Sequence, residues 1–181
     1  MAAFGWQEWP ELPWERAVTM IFVTVGSQMP FDRMVSAIDL WAERTKPDAD
    51  IFAQIGDSQY RPRAMRYTKA LTPAEFSQTV AQADVIVAHA GMGSVLTGME
   101  LGKPLVLMPR RGDLQETRND HQIATAHWLA QRPGIFVAEQ DEDLPAALAA
   151  AQAASKGSAA ISPYASPDLL AAVRQFILHA P

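Results

Sequence analysis

A glycine-containing segment near the middle of the chain carries residue types that bind phosphate groups. His89-Ala90-Gly91-Met92-Gly93-Ser94 follows a short apolar run and precedes a helix-forming segment. Gly91 and Gly93 would let backbone amides approach a phosphate oxygen, because they carry no side chain. Ser94 is expected to cap the helix, whose first turn presents free N–H groups to an anion. The segment predicts a diphosphate site, or alternatively only a tight turn between strand and helix.

Three more loops combine glycine with polar residues directly after apolar runs. They are Gly26-Ser27-Gln28, Gly56-Asp57-Ser58 and Arg110-Arg111-Gly112-Asp113. The carboxyl ends of parallel strands meet at one edge of a sheet, so these loops are expected to surround one ligand site. Arg110 or Arg111 could grip a phosphate or a uronic acid group through two parallel hydrogen bonds. The alternative for at least one of these arginines is solvation at the surface.

The elements that must position these loops alternate regularly along the chain. Short apolar runs predict strands at 21–25, 51–55, 65–71, 84–88, 105–108 and 134–138. Helical spacing and capping signals predict helices at 31–44, 73–81, 94–101, 119–131, 144–154 and 167–178. Strands that are apolar on both faces and separated by helices imply a parallel sheet covered on each side. The expected fold is therefore an α/β, three-layer Rossmann-like domain.

Single residues in this pattern have structural interpretations as well. Thr72 is the expected N-cap of the helix that begins at Pro73, and Asn119 or Asp120 is expected to cap the helix near 119. His89 ends a buried strand, where a hydrogen-bonded core histidine is the alternative to a ligand contact. We do not assign it as the catalytic base.

Length and composition limit the class of protein. The chain has 181 residues, 49% of them hydrophobic and 19% charged, which suits one core rather than two. We expect one domain over residues 20–181. Residues 1–19 hold Trp6, Trp9 and Trp14 and follow no helical or strand period. They predict either a loosely ordered N-terminal extension or a tryptophan-rich docking segment.

Charge and cysteine content narrow the partners. The net charge of −5 and the lack of a basic run argue against nucleic acid as the main partner. The sequence has no cysteine, which excludes disulfides and thiolate metal ligands and suits a reducing cytoplasm. It also has no apolar run near the length of about 18 residues that a membrane span needs.

Common nucleotide motifs fail on inspection. GxGxxG would require glycine where Leu96 stands, and the Walker pattern fails because Met99 follows Gly98 where lysine is needed. Dinucleotide binding and ATP hydrolysis are therefore disfavoured. The acid pair at Asp48 and Asp50 precedes a strand, at the end of the sheet opposite the ligand edge, so we expect no metal site.

Together these motifs resemble the C-terminal domain of family-28 glycosyltransferases over about Met20 to Ala138. The segments that carry the resemblance, in order, are VTVGSQ with Phe31-Asp32-Arg33, QIGDS, HAGMGS, LGKP, MPRR and NDHQ. The set is most similar to free-standing members: the soluble subunit of a two-part UDP-N-acetylglucosamine transferase of dolichol-linked glycan synthesis, and its bacterial capsule and exopolysaccharide counterparts. The resemblance implies the donor-binding half of a GT-B enzyme that uses a UDP-sugar without a metal or other cofactor.

The resemblance also implies roles for individual positions. It assigns the diphosphate turn to Gly91, Met92, Gly93 and Ser94, and the interdomain cleft to Gly26, Ser27 and Gln28. It assigns the backbone that meets uracil to Ala70 and Leu71. The side chains that bind sugar hydroxyls would be those of His121 and Gln122. Family members often bind the ribose with an acid where this chain has Thr97. Glu100, one helical turn further, is the expected substitute or else a solvated helix residue.

The implied reaction is sugar transfer from UDP to a hydroxyl of a polyprenyl-diphosphate-linked acceptor, in exopolysaccharide or capsule synthesis. The acceptor half and the general base would come from a membrane-anchored partner subunit. This chain would then work at the cytoplasmic face of the membrane, and its own catalytic residue stays unassigned. One alternative is a non-catalytic enhancer that stabilises a membrane-bound transferase. A weaker one is an epimerase-like sugar-nucleotide binder, which would lack its dinucleotide fingerprint.

Overall fold

The structure, a computed structural model, describes residues 19–154, 160–162 and 164–179. The predicted N-terminal extension lies outside the described residues, except for Thr19. The strands are β1 (Thr19–Thr24), β2 (Ala49–Gln54), β3 (Arg66–Thr68), β4 (Val85–His89), β5 (Leu105–Met108) and β6 (Ile135–Val137). The α-helices are α1 (Asp32–Thr45), α2 (Pro73–Gln82), α3 (Met92–Glu100), α4 (His121–Leu129), α5 (Leu144–Ala153) and α6 (Pro167–His179).

The six strands form one parallel sheet in the order β3-β2-β1-β4-β5-β6. Helices α1 and α5 bury their apolar sides against one face, where Ile38 and Leu148 join the core. Helices α2, α3 and α4 cover the other face, where Val95 packs beside the strand residue Phe22. This arrangement confirms the predicted three-layer Rossmann-like fold. It also brings the loops after β1, β2, β4 and β5 to one edge.

Element boundaries differ from the sequence prediction at three places near that edge. Strand β3 is shorter than predicted, because the chain turns after Thr68 toward the capping box of α2. In that box Thr72 accepts a hydrogen bond from the Glu75 amide (3.3 Å), and the Thr72 amide donates to Glu75 Oε2 (2.7 Å). This confirms Thr72 as the N-cap. Helix α4 begins at His121, two residues later than predicted.

The start of α3 is also different. Gly91, not Ser94, occupies the N-cap position, and the helix begins at Met92. The prediction that Ser94 caps this helix is therefore wrong: Ser94 is the third helical residue. Within the described part of the chain, none of the helices is long and apolar enough to cross a bilayer.

Candidate functional site

A cavity of about 650 Å³ opens at the carboxyl edge of the sheet. We call it the main cavity. Thirteen of the sixteen residues predicted for the site line it: Gly26, Ser27, Gln28, Leu71, His89, Gly91, Met92, Gly93, Ser94, Thr97, Arg110, His121 and Gln122. Loops far apart in sequence thus converge as the parallel topology predicts.

Three predicted residues do not line the main cavity. Ala70 lines only a side lobe of about 150 Å³ next to it, together with Asp57 and Lys69. Arg111 faces a different cavity of about 290 Å³ and is paired with Asp113, Nη2 to Oδ2 at 2.6 Å. Glu100 is exposed on α3 and is not among the lining residues.

Sequence reasoning missed several residues that line the main cavity: Val25, Met29, Gln54, Pro73, Phe76, Ser77 and Thr117. Phe76 follows the apolar spacing of α2 and contacts Phe22 edge-on, with ring centroids 5.7 Å apart. That spacing gives no sign that one side of the ring faces a cavity. Gln54 did carry a signal, since it is a polar residue at the end of an otherwise apolar strand.

The first turn of α3 presents open amide groups to the main cavity. The Val95 amide donates to the Gly91 carbonyl at 3.2 Å, which is the first hydrogen bond of the helix. The amides of Met92, Gly93 and Ser94 precede that bond and have no carbonyl within the helix to pair with. Added to the positive end of the helix dipole, they form a site for an anionic oxygen.

The His89 ring lies between the two glycine loops. A Cβ atom at either Gly26 or Gly91 would overlap this ring, so both positions are restricted to glycine by packing. Burial, and after it the positive charge of Arg110, lower the pKa of His89 to about 4. His89 is therefore neutral at pH 7. Its Nδ1 atom is buried and has no hydrogen-bond partner among the described residues.

Two buried polar side chains hold the Gly26 loop. Gln54 Oε1 accepts the hydroxyl proton of Thr24 at 2.6 Å, and its Nε2 donates to the Gly26 carbonyl at 3.3 Å. The Thr24 hydroxyl oxygen also accepts the Gly26 amide at 3.1 Å. Both main-chain polar groups of Gly26 are thus fixed from strands β1 and β2, and Gly26 adopts φ +80°.

Arg110 links the end of β5 to the loop after β1. Its side chain is 3% exposed and donates to the carbonyls of Val25 (2.9 Å) and Met29 (2.7 Å), as well as to that of Pro30. The guanidinium also lies over the Phe31 ring, 4.6 Å from its centroid. These bonds engage both terminal nitrogens, so Arg110 holds the loop after β1 in place. Its charge nevertheless remains next to the main cavity.

The loop after β5 is tied down by a second arginine. Arg33 pairs with Glu116 through Nε (2.7 Å) and Nη2 (3.0 Å), and Nη2 also donates to the Pro109 carbonyl at 2.8 Å. Burial acts to lower the pKa of Arg33, but hydrogen bonds to Glu116 and Asp141 outweigh it and raise that pKa. Glu116 in turn accepts the Arg111 amide at 2.9 Å. This network fixes the segment that leads into α4.

The start of α4 supplies hydrogen-bonding side chains. Asp120 occupies the N-cap position without capping the helix, because its Oδ1 accepts the Gly112 amide instead (2.8 Å). Asn119 Oδ1 accepts the His121 amide at 3.3 Å and contacts His121 Nδ1, so Asn119 serves the helix end. Gln122 Oε1 accepts the Arg110 amide at 3.1 Å, which leaves its NH₂ group for the cavity.

Different chemical groups therefore line different parts of the main cavity. The strand order sets the sequence of groups along the edge: Leu71, Pro73 and Phe76 follow β3, the open amides of α3 follow β4, and His121 and Gln122 follow β5. The lining residues within the described ranges include no carboxylate. Nor do those ranges contain a cluster of three or more His, Asp or Glu side chains suited to a metal. This order suits a ligand in which an anionic group links a planar base to a polar group.

Comparison with known proteins shows which family the chain resembles. The family model described as glycosyltransferase family 28 C-terminal domain matches residues 20–159. The human UDP-N-acetylglucosamine transferase subunit ALG13 is 27% identical over 126 residues, which cover 64% of this chain and 11% of the human protein. The chain thus spans about a tenth of the length of the curated relatives it matches.

Solved structures share the fold. The crystal structure of Acinetobacter baumannii MurG superposes with a TM-score of 0.63 at 16% identity, over 87% of this chain and 50% of that one. The solution structure of ALG13 gives a TM-score of 0.53 at 18% identity, over 86% of this chain and 94% of that one. Both likenesses concern the fold alone, an α/β fold found in GT-B glycosyltransferases. With its family match over residues 20–159, the chain belongs to glycosyltransferase family 28, whose C-terminal domain it forms.

Proposed function

We propose that this chain is the donor-binding half of a UDP-sugar-dependent glycosyltransferase. The observation that carries the proposal is the open first turn of α3, whose amides face a cavity with an apolar end and a hydrogen-bonding end. The apolar end suits uracil, the amides suit the diphosphate, and His121 with Gln122 suits the hydroxyls of the sugar. UDP-sugar is the substrate, and no metal or other cofactor takes part.

The donor half stabilises the leaving group. As the bond to the sugar breaks, negative charge develops on the diphosphate, and the α3 amides are already oriented toward it. Arg110 adds a positive field, although its own donors stay with main-chain carbonyls. His89 is a poor base because its pKa is lowered to about 4. The general base therefore comes from the partner subunit.

The partner is a membrane-anchored subunit that binds the polyprenyl-diphosphate-linked acceptor. Helix α6 supports this part of the proposal, because it is exposed along its whole length and its apolar residues repeat at helical spacing. Phe176 is 75% and Ile177 70% exposed, an arrangement that is costly in water and typical of a helix with a protein partner. Docking to this partner would hold the chain at the cytoplasmic face, in capsule or exopolysaccharide synthesis.

Calorimetric titration of the full chain tests the donor site. UDP and UDP-sugars are titrated with and without EDTA, and binding is expected in both conditions. ADP serves as a matched control for the base, since it carries the same diphosphate. Loss of all binding at millimolar nucleotide would refute the proposal, and binding only without EDTA would refute its metal-free form.

Coexpression with the partner separates this function from that of a non-catalytic enhancer. The partner to test is a short protein with one amino-terminal membrane span from the adjacent gene. Gly93→Ala and Gln122→Ala each alter the proposed donor contacts and should strongly reduce transfer at limiting UDP-sugar. An enhancer would tolerate both substitutions, because it would need only to dock and stabilise the transferase.

A further inference from the structure

One hydroxyl side chain of α2 and one from the second turn of α3 line the main cavity. Thr97 is one helical turn beyond Gly93 on α3, an axial rise of about 6 Å. Ser77 lies on α2, next to Phe76. Both line the main cavity. If the base occupies the apolar end and the diphosphate the amides, the pentose of a nucleotide lies beside these two side chains. We call them the pentose pair.

The pentose pair offers weak hydrogen bonding. Thr97 Oγ1 already donates its proton to the Gly93 carbonyl at 2.9 Å, so it can only accept from a ligand. Proteins that read a ribose 2′-hydroxyl strongly use a carboxylate for it. The described residues that line the main cavity include none, and Glu100 lies exposed outside it.

One carboxylate is present in the side lobe. Asp57 lines that lobe beyond the Gly26 loop, and Lys69 Nζ is 2.6 Å from its Oδ1. The ion pair already engages this carboxylate, and Asp57 does not line the main cavity. It therefore serves as the natural control for the pentose pair.

We propose that this site accepts 2′-deoxyribonucleoside diphosphates and their sugars about as readily as the ribonucleotide forms, because the described lining residues offer the pentose hydroxyl side chains and no carboxylate. The inference rests on the proposed function and extends its substrate class. A site built around a substrate hydroxyl rejects the analogue that lacks it, since its own polar groups are then left unpaired. Thr97 has no such penalty, because its proton stays bonded to Gly93 either way.

Titration calorimetry with UDP and 2′-deoxy-UDP tests the inference on the full chain, because the two ligands differ by one oxygen atom. For the natural chain the two dissociation constants should agree within about threefold, as a single neutral hydrogen bond allows. Thr97→Glu places a carboxylate beside the pentose, and the preference for UDP should rise to about tenfold or more. Thr97→Gln has a similar shape without the charge and should stay near the natural ratio, as should Asp57→Asn.

The outcomes separate this inference from the proposed function. A natural chain that prefers UDP by tenfold or more overturns the inference while confirming a nucleotide site. If Asp57→Asn then removes that preference, the side-lobe carboxylate reads the ribose. Failure of both nucleotides to bind removes the nucleotide site, and the inference with it. Because each result is a ratio measured on one variant, a general loss of affinity in Thr97→Glu does not imitate the expected change.

Discussion

At the residue scale, the glycines of the site are there for different reasons. Gly26 and Gly91 leave room for the His89 ring, whereas a Cβ at Gly93 would meet no atom within 4 Å. Gly93 is also inside α3, where glycine is less favourable than alanine. Packing therefore does not explain why position 93 is glycine, and the proposed approach of a diphosphate to its amide would explain it.

Gly93→Ala should accordingly separate ligand binding from stability. The free energy of unfolding should stay constant or rise by up to about 1 kcal/mol, while UDP affinity falls by about tenfold because the methyl group faces the ligand. Urea unfolding and calorimetric titration measure the two effects. Gly91→Ala is the matched control, and it should lose stability through overlap with His89. Undiminished UDP affinity in Gly93→Ala would contradict this reading of the α3 amides.

The neutral state of His89 should make stability depend on pH. The pKa of His89 is lowered to about 4 in the folded chain, against about 6.5 in the unfolded chain. Between these values the unfolded chain binds the extra proton, so the free energy of unfolding should fall as the pH drops from about 6.5 toward 4. Urea unfolding at pH 7 and pH 5 measures the decrease. The His89→Gln variant cannot take up the proton, so its free energy of unfolding should fall less between pH 7 and pH 5. An equal fall in the variant and the natural chain would exclude His89 as the cause.

At the element scale, the site depends on ties between loops that are distant in sequence. The loop after β1 is held by Gln54 from β2 and by Arg110 from the end of β5. The loop after β5 is held by Arg33 from α1. The sheet places these loops side by side, and buried polar side chains then fix their shape.

Arg110→Met should show how much one of these ties contributes. Removal of the guanidinium leaves the Val25 and Met29 carbonyls without a donor, which should cost about 3 kcal/mol of unfolding free energy and weaken UDP binding. Arg111→Met is the control, because Arg111 forms a partly exposed ion pair and should cost less than about 1 kcal/mol. Thermal unfolding of both variants measures the difference. Equal losses of unfolding free energy in the two variants would contradict the role of Arg110 in holding the loop after β1.

The same arginines show where sequence reasoning reaches its limit. Apolar runs and capping signals predicted each strand and α-helix of the described residues, since hydrophobic period is a local property. It also located most of the site, because parallel strands end at one edge. Which of Arg110 and Arg111 is buried depends on carbonyls about 80 residues away in sequence, at Met29 and Pro30. Likewise, Thr97 lies on the side of α3 that faces the cavity and Glu100 does not. Their spacing in the sequence alone did not show which of the two lines the site.

At the scale of the whole molecule, the described domain has a closed core on both faces of the sheet and one helix outside it. The two cores are filled from strands β1, β2, β4, β5 and β6 and from helices α1–α5. Helix α6 contributes no buried residue, although Leu169, Leu170 and Val173 continue the apolar side that Phe176 and Ile177 extend. A helix whose apolar side is exposed adds little to the stability of this domain, which agrees with the partner that we propose for it.

Substitution of that side should therefore affect assembly without affecting the fold. In Phe176→Ser with Ile177→Ser, the free energy of unfolding should change by less than about 0.5 kcal/mol and UDP affinity should stay constant, because both residues are exposed far from any core. Copurification of the membrane-anchored subunit from coexpressing cells should be lost, along with sugar transfer. Arg174→Ser with Gln175→Ser alters neighbouring polar residues on the same helix and should leave copurification unchanged. Normal copurification of the Phe176 and Ile177 variant would move the interface away from α6, whereas a large loss of stability would show that α6 belongs to the core of this domain.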